Sequence, residues 1–263
     1  MKLLVAIVAD IDGTLIEGGN IASADKNLKK AVKRVREKRI LFSLGSGRTF
    51  LEQEAFHNLL IAPDHYTPGE AILYEGSCLR FLGGTTVYRL GGLTREQITE
   101  VELFAAEKKL FSGLVHRAGN ETYETGSGYV TPTFIHEGRT DRELLKETYR
   151  RARPILEDQF SFLSVSISAD GLDLTAKGVT KANPLRRYAE LTGISLDEIA
   201  VFGDSSNDML ILELVGKAGG LPVYVGNNPE QEALVRSYPR YFIPEQRGVK
   251  GSIEALQNML SSI

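Results

Sequence analysis

Leu3 to Ala9 is an unbroken apolar run that stops at Asp10. A run without polar alternation predicts a strand buried on both faces, as in the interior of a parallel sheet. Shorter, mostly apolar runs occur at Ile40 to Leu44, which carries the single polar residue Ser43, and at Ala71 to Tyr74, Ile199 to Phe202 and Val223 to Val225, and Tyr241 to Ile243 reads as an edge strand. Between them, apolar positions three and four apart predict helices. One carries Leu28, Ala31, Val32 and Val35 behind a capping Ser23, and another spans Lys181 to Leu191 with Ala182, Leu185 and Tyr188 on one side. Thr49 with Glu52 and Ser195 with Glu198 are capping-box pairs. Pro63 closes the helix that Thr49 opens, and a last helix runs from about Ser252.

From about Gly83 the pattern changes. Gly83-Gly84 and Gly91-Gly92 bracket a short strand, Thr85 to Leu90, and Thr94 with Gln97 opens a helix reaching roughly Lys109. Phe111 to Thr125 holds short strand-like pieces. Thr140 with Glu143 starts a helix expected to end near Pro154. Ser161 to Ser168 alternates polar and apolar residues, which predicts a half-exposed antiparallel strand paired through Ala169-Asp170-Gly171 to Leu172–Thr175. The expected fold is therefore α/β. A doubly wound, Rossmann-like parallel-sheet core comprises residues 1–83 and 177–263, and an inserted α+β unit covers 84–176.

Composition narrows the function classes. The chain has 263 residues, 25% charged and 42% hydrophobic, as in soluble globular proteins. A net charge of -3 gives no sign of a nucleic-acid partner, and the basic cluster Lys29, Lys30, Lys33, Arg34 and Arg36 reads as the solvated face of its helix. Cys78 is the single cysteine, so no intramolecular disulfide forms and a reducing, cytoplasmic setting is expected. The apolar start is short and lacks a cleavage site, so it does not read as a secretory signal. No run is long enough to span a bilayer, so no membrane partner is expected. Oligomeric state is not legible.

Three polar clusters follow buried strands directly: Asp10-Ile11-Asp12, Gly45-Ser46-Gly47-Arg48 and Gly203-Asp204-Ser205-Ser206-Asn207-Asp208. Carboxyl ends of parallel strands share one sheet edge, where ligands bind. Taken singly, each cluster reads equally as a turn or helix cap. Taken together they bring Asp10, Asp12, Ser46, Asp204 and Asp208 toward one crevice. Carboxylates that close repel one another, and a hard divalent cation, magnesium, meets that need. Gly45-Ser46-Gly47 is no dinucleotide fingerprint, because Phe50 occupies the third glycine position. His57, His65, His116 and His136 have no metal-ligand spacing.

The order strand, Asp10-Ile11-Asp12-Gly13-Thr14-Leu15, resembles the first motif of the haloacid dehalogenase-like phosphohydrolases. Ser46-Gly47-Arg48 resembles the Thr-Gly-Arg second motif of the Cof-like and sucrose-phosphate phosphatase branch. Lys177-Gly178-Val179-Thr180-Lys181 is similar to its third motif, and Gly203 to Asp208 to its Gly-Asp-x-x-Asn-Asp fourth. Gly226-Asn227 and Arg247-Gly248-Val249 resemble further recurrent pieces. The resemblance implies a magnesium-dependent phosphatase of small phosphorylated metabolites, with a sugar phosphate as the expected substrate. It implies that Asp10 is the nucleophile that becomes an aspartyl phosphate, Asp12 the general acid and base, and Lys181 the third catalytic group. Magnesium is expected on Asp10, the Asp12 carbonyl and Asp204. Ser46, Gly47, Arg48 and Asn207 are expected to bind substrate, and Asn207 and Asp208 to orient the metal's waters or Lys181. The insertion is expected to be a substrate-specificity cap, in which His116, Arg117, Glu121, Tyr123 and Arg139 are candidates to read the leaving group. Departures are Ser46 for the commoner Thr, Gly69-Glu70-Ala71 for Asn-Gly-Ala, and Asn228 for Ala. Phosphotransfer to an acceptor, as in a mutase, and non-catalytic phosphometabolite binding are the alternatives.

Overall fold

A computed structural model describes residues 3–18, 20, 24–61, 66–74, 77–112, 114–117, 128–132, 135–136, 139–140, 142–167 and 171–261. The chain divides into two compact units, residues 1–90 with 180–263, and residues 91–179.

The first unit opens with β1 (Ala6–Ala9), α1 (Lys26–Glu37), β2 (Leu41–Ser46), α2 (Phe50–Ile61), β3 (Ala71–Tyr74), β4 (Cys78–Phe81) and β5 (Val87–Arg89). The cap of α1 is Asp25, whose carboxylate accepts from the amides of Asn27 and Leu28. The expected cap, Ser23, lies outside the described residues. An acid at this position also suits the positive end of the helix dipole. Thr49 and Glu52 form the full capping box of α2, each side chain accepting the other's amide.

The second unit follows with α3 (Arg95–Glu107), β6 (Leu114–Arg117), β7 (Gly128–Pro132), β8 (Ile135–His136), β9 (Arg139–Thr140), α4 (Arg142–Gln159), β10 (Leu163–Ile167) and β11 (Leu172–Ala176). β10, β11, β7 and β6 form an antiparallel sheet in that order. One face of the β10–β11 pair, through Leu163, Val165, Leu172 and Leu174, joins a core with Ile98, Val101 and Ala105 of α3 and Leu145, Ala152 and Leu156 of α4. α4 does not end at Pro154 but runs through it. The buried stripe Leu145, Thr148, Ala152, Leu156 continues past the proline, and packing of that stripe offsets the lost backbone hydrogen bond.

The chain then returns through α5 (Ala182–Thr192), a 3₁₀ turn (Leu196–Glu198), β12 (Ile199–Gly203), α6 (Met209–Ala218), β13 (Leu221–Tyr224), α7 (Pro229–Arg236) and α8 (Gly248–Ser261). The Ser195–Glu198 capping box is present, but it opens the 3₁₀ turn. α8 begins earlier than expected, and the predicted edge strand at Tyr241 to Ile243 reduces to a single bridge between Phe242 and Val223.

The strand order is β13-β12-β1-β2-β3-β4-β5, parallel through β3 and antiparallel beyond it. Ile7 and Ala9 of β1 pack with α1, α2 and α8, while Ala6 and Val8 pack with α5 and α6. Two-faced burial is why that stretch carries no polar position. β4 and β5 extend the core sheet, so the first unit runs to Leu90 rather than ending near Gly83. Pairing to β4 holds Val87–Arg89 with the core, whereas the glycines alone had suggested a break before it. Glu70, where the resembling branch often has glycine, is fully buried just before β3. It accepts from Arg36 at 2.7 and 3.0 Å and from the amides of Phe42 and Thr67. That is the sheet edge opposite Asp10, so this departure ties α1 to the sheet and does not bear on the crevice.

Candidate active site

β1, β2 and β12 are parallel neighbours, so their carboxyl ends project the three polar clusters along one sheet edge. Asp10 follows β1, its amide bonded to the Phe202 carbonyl of β12 at 3.1 Å. Asp204 follows β12, and Ser46 ends β2. Carboxylate oxygens of Asp10, Asp204 and Asp208 lie within 4.8 Å of one another. Lys181, at the start of α5, reaches into the cluster. Its Nζ is 2.9 Å from Asp208 Oδ1 and 3.4 Å from Asp10 Oδ1, and its side chain is 9% exposed.

The three acids are not equivalent. Asp208 is fully buried, and its oxygens are taken by Lys181, the amides of Asp204 and Ser205, and the Ser205 hydroxyl. Saturated in this way, it shapes the loop and holds the lysine. Asp10 is pushed up to about 8, chiefly by burial and further by Asp208 and Asp204, with Lys181 acting against the rise. Asp204 is pushed up to about 6, again mainly by burial and then by Asp208. One ammonium faces three carboxylates, and at neutral pH the cluster holds its charge only at a cost. A set of close, hard oxygen donors with unbalanced negative charge fits a divalent cation such as magnesium, which would keep Asp10 ionised. Asp10 and Asp204 would hold it, with the Asp12 main-chain carbonyl.

Asp12 lies outside the three-acid cluster. Its half-exposed carboxylate takes a two-pronged bond from Arg48, through Nε and Nη2, both at 2.7 Å, and Arg48 also approaches Glu52 at 3.4 Å. Such planar pairs fix a carboxylate in direction as well as charge. Arg48, expected on substrate, is thus engaged with Asp12. Ser46 is buried and receives the Arg48 amide at 3.4 Å, while Gly47 is exposed. The Gln53 side-chain amide donates to the carbonyls of Ser46 and Arg48 at 3.1 and 2.6 Å, clamping the loop to α2. Asn207 is exposed and bonded to Ser205, not gathered among the acids.

His57 is buried with Nε2 on the Phe42 carbonyl, and burial holds its pKa below the usual range. It is a packing residue. His65, Glu121 and Tyr123 lie outside the described residues. His116 and Arg117 fall on β6, His136 on β8 and Arg139 on β9. The sequence reading missed Gln53, Thr14 and Ser252. Thr14 donates to Asp204 Oδ1 at 2.9 Å, and Ser252 donates to the Thr14 carbonyl at 2.7 Å. Thr14 stands inside the first motif, which is the signal that marks it; nothing local marks Ser252.

Comparison with known proteins accords with this geometry. A sequence profile described as haloacid dehalogenase-like hydrolase matches residues 7–126 and 134–231. The chain belongs to the haloacid dehalogenase-like hydrolases, in their Cof-like branch. Within that family it is a phosphatase. It is 26% identical over 228 residues to a phosphoglycolate phosphatase of Metallosphaera sedula, covering 87% of this chain and 88% of that one. A phosphoglycolate phosphatase of Methanosarcina acetivorans is 25% identical over 261 residues, covering 98% and 97%. The crystal structure of a haloacid dehalogenase-like hydrolase from Bacteroides thetaiotaomicron shares the fold, with a TM-score of 0.71 at 17% identity, covering 98% of this chain and 100% of that one. Among the described residues, no helix is long and apolar enough to cross a membrane.

Proposed function

We propose that the protein hydrolyses small phosphomonoesters through an aspartyl phosphate on Asp10, with magnesium as cofactor. The observation that carries this reading is the placement of Asp10 beside Lys181 Nζ at 3.4 Å, within reach of Asp204. Asp10 attacks phosphorus; the phosphorus–leaving-oxygen bond breaks, and Asp12 delivers a proton to that oxygen. Asp12 then takes a proton from water as it attacks the aspartyl phosphate, releasing inorganic phosphate and regenerating Asp10. Lys181, the Ser46 hydroxyl and main-chain amides near Asp12 hold the phosphoryl oxygens. Asp208 holds Lys181 at this task. Arg48 aims Asp12, and Gly47 and Asn207 line the approach of substrate. Bound magnesium neutralises charge on the phosphoryl oxygens and on Asp10.

The substrate is a small phosphorylated metabolite, with sugar phosphates as the first class to test. A second reading, phosphoglycolate, is favoured by the names of the two relatives that align along nearly the whole chain. Residues 84–176, or 91–179 by the compact units, act as the specificity domain. No nucleic-acid or membrane partner is involved, and the setting is cytoplasmic. A panel assay of the metal-free and magnesium-loaded protein tests the proposal. Phosphate release from phosphoglycolate and sugar phosphates is expected only with the metal, and the larger kcat/KM identifies the substrate. Full turnover in excess chelator refutes the mechanism. Efficient transfer to a sugar acceptor instead of water makes the protein a mutase or phosphotransferase.

A further inference from the structure

We propose that Thr14 and Ser252 are positioning residues that fix the carboxylate of Asp204, so that the C-terminal helix α8 sets magnesium affinity. This rests on Asp204 being a metal ligand, as proposed above.

Ser252 is the fifth residue of α8, on a helix that otherwise buries Val249, Ile253, Ala255, Leu256 and Met259. A helical serine commonly bonds back to a carbonyl of its own preceding turn. Here the hydroxyl leaves the helix and donates to the Thr14 carbonyl at 2.7 Å, with both residues fully buried. The two are 238 positions apart in sequence, so this bond ties the end of the chain to its beginning. The Thr14 hydroxyl in turn donates to Asp204 Oδ1 at 2.9 Å. Asp204 is confined elsewhere too, its carboxylate by Gly13 and its main chain by Gly226 and Asp208. Gly13 has φ +77°, and a Cβ there would stand 2.3 Å from Asp204 Oδ2; a Cβ on Gly226 would stand 1.9 Å from the Asp204 carbonyl. The Asp204 amide is held by Asp208 at 3.1 Å.

A ligand aimed before the ion arrives loses little rotamer freedom on binding, so its supports appear in affinity. Partners that orient metal ligands typically change metal affinity about 10–100-fold. Ser252 acts only through Thr14, so its effect depends on the Thr14 hydroxyl being present.

The test titrates magnesium into the metal-free full-length protein by calorimetry, with the magnesium-induced rise in Tm as a second readout. Thr14→Val keeps the side-chain shape and removes the hydroxyl; it is expected to weaken magnesium binding about tenfold or more. Thr14→Ser, which keeps the hydroxyl, stays within about twofold of the parent, a gap well below the range for lost orienting partners. Ser252→Ala weakens binding about threefold, and adding it to Thr14→Val has no further effect, the non-additivity of groups acting in series. A folded Thr14→Val protein with parental affinity, or a double variant whose losses add, overturns the proposal. If Thr14→Val does not fold, Ser252→Ala decides alone: parental affinity overturns the relay, and weakened affinity restored by Ser252→Thr supports it. A parent protein that binds no magnesium overturns the metal reading itself. A parent that binds it with every variant unchanged overturns only the relay.

Discussion

At Asp10 the chain buries a carboxylate among two others, and the cost is readable in pH. Its pKa lies near 3.8 in the unfolded chain and is raised to about 8 in the folded metal-free protein. Stability held below the unfolded value is therefore lost as pH rises toward and through the folded one. The Tm of metal-free protein is expected to fall between about pH 4 and pH 8, and magnesium should raise it more at pH 8 than at pH 5. Asp10→Asn should abolish phosphate release, since an amide cannot form the acyl phosphate, while flattening that part of the Tm profile. Calorimetric scans across pH on both proteins check this; parallel profiles would contradict the raised pKa. Arg48 offers a second expectation. Its loss leaves Asp12 unaimed, so Arg48→Ala should cost at least about tenfold more in kcat/KM for an alkyl phosphate than for an activated aryl phosphate, whose leaving group needs little acid assistance. Equal losses on both would return Arg48 to plain substrate binding. That Asp10, Asp204 and Asp208 come together was legible, because a strand end and the turn after β12 place them, whereas Asp12, expected in the same crevice, has its carboxylate on Arg48 instead. The Ser252–Thr14 bond was not, because no local pattern encodes a partner 238 positions away.

Elements were legible where one physical cause dominates. β1 and β12 announce themselves because both faces are buried, and the helices opened by Thr49 and Thr94 because their capping boxes are complete. β4 escaped, since Cys78–Phe81 is short and its stability comes from pairing with β3 and β5, which composition does not record. α4 was cut short at Pro154 because local propensity was weighed without the stripe that holds the helix together. That proline is exposed and interrupts the backbone ladder. Pro154→Ala should therefore stabilise the second unit by about 1–3 kcal/mol, a greater freedom of the unfolded chain offsetting part of the gain. Denaturant unfolding measures it, and a loss of stability would show that the proline shapes the helix to its sheet.

For the molecule as a whole, the two units have separate cores, and every residue in the three-acid cluster belongs to the first. Replacing residues 91–179 by a short Gly-Ser linker should leave a core that folds and slowly turns over an activated aryl phosphate. It should lose most of its preference for the best metabolite, read as the ratio of kcat/KM values. An unchanged ratio in a folded variant would put specificity in the core.

The order of the strands bears on how the molecule is made. β1 at residues 6–9 lies between β2 and β12, and β12 begins only at Ile199. During synthesis the first strand therefore leaves the ribosome with one edge bare, and nearly two hundred residues must be added before its neighbour exists. At about 5–20 residues per second that interval is on the order of ten seconds or more. An apolar strand with an unpaired edge is a template for joining another chain, so a nascent protein halted near residue 180 should bind chaperones and aggregate where the finished one does not.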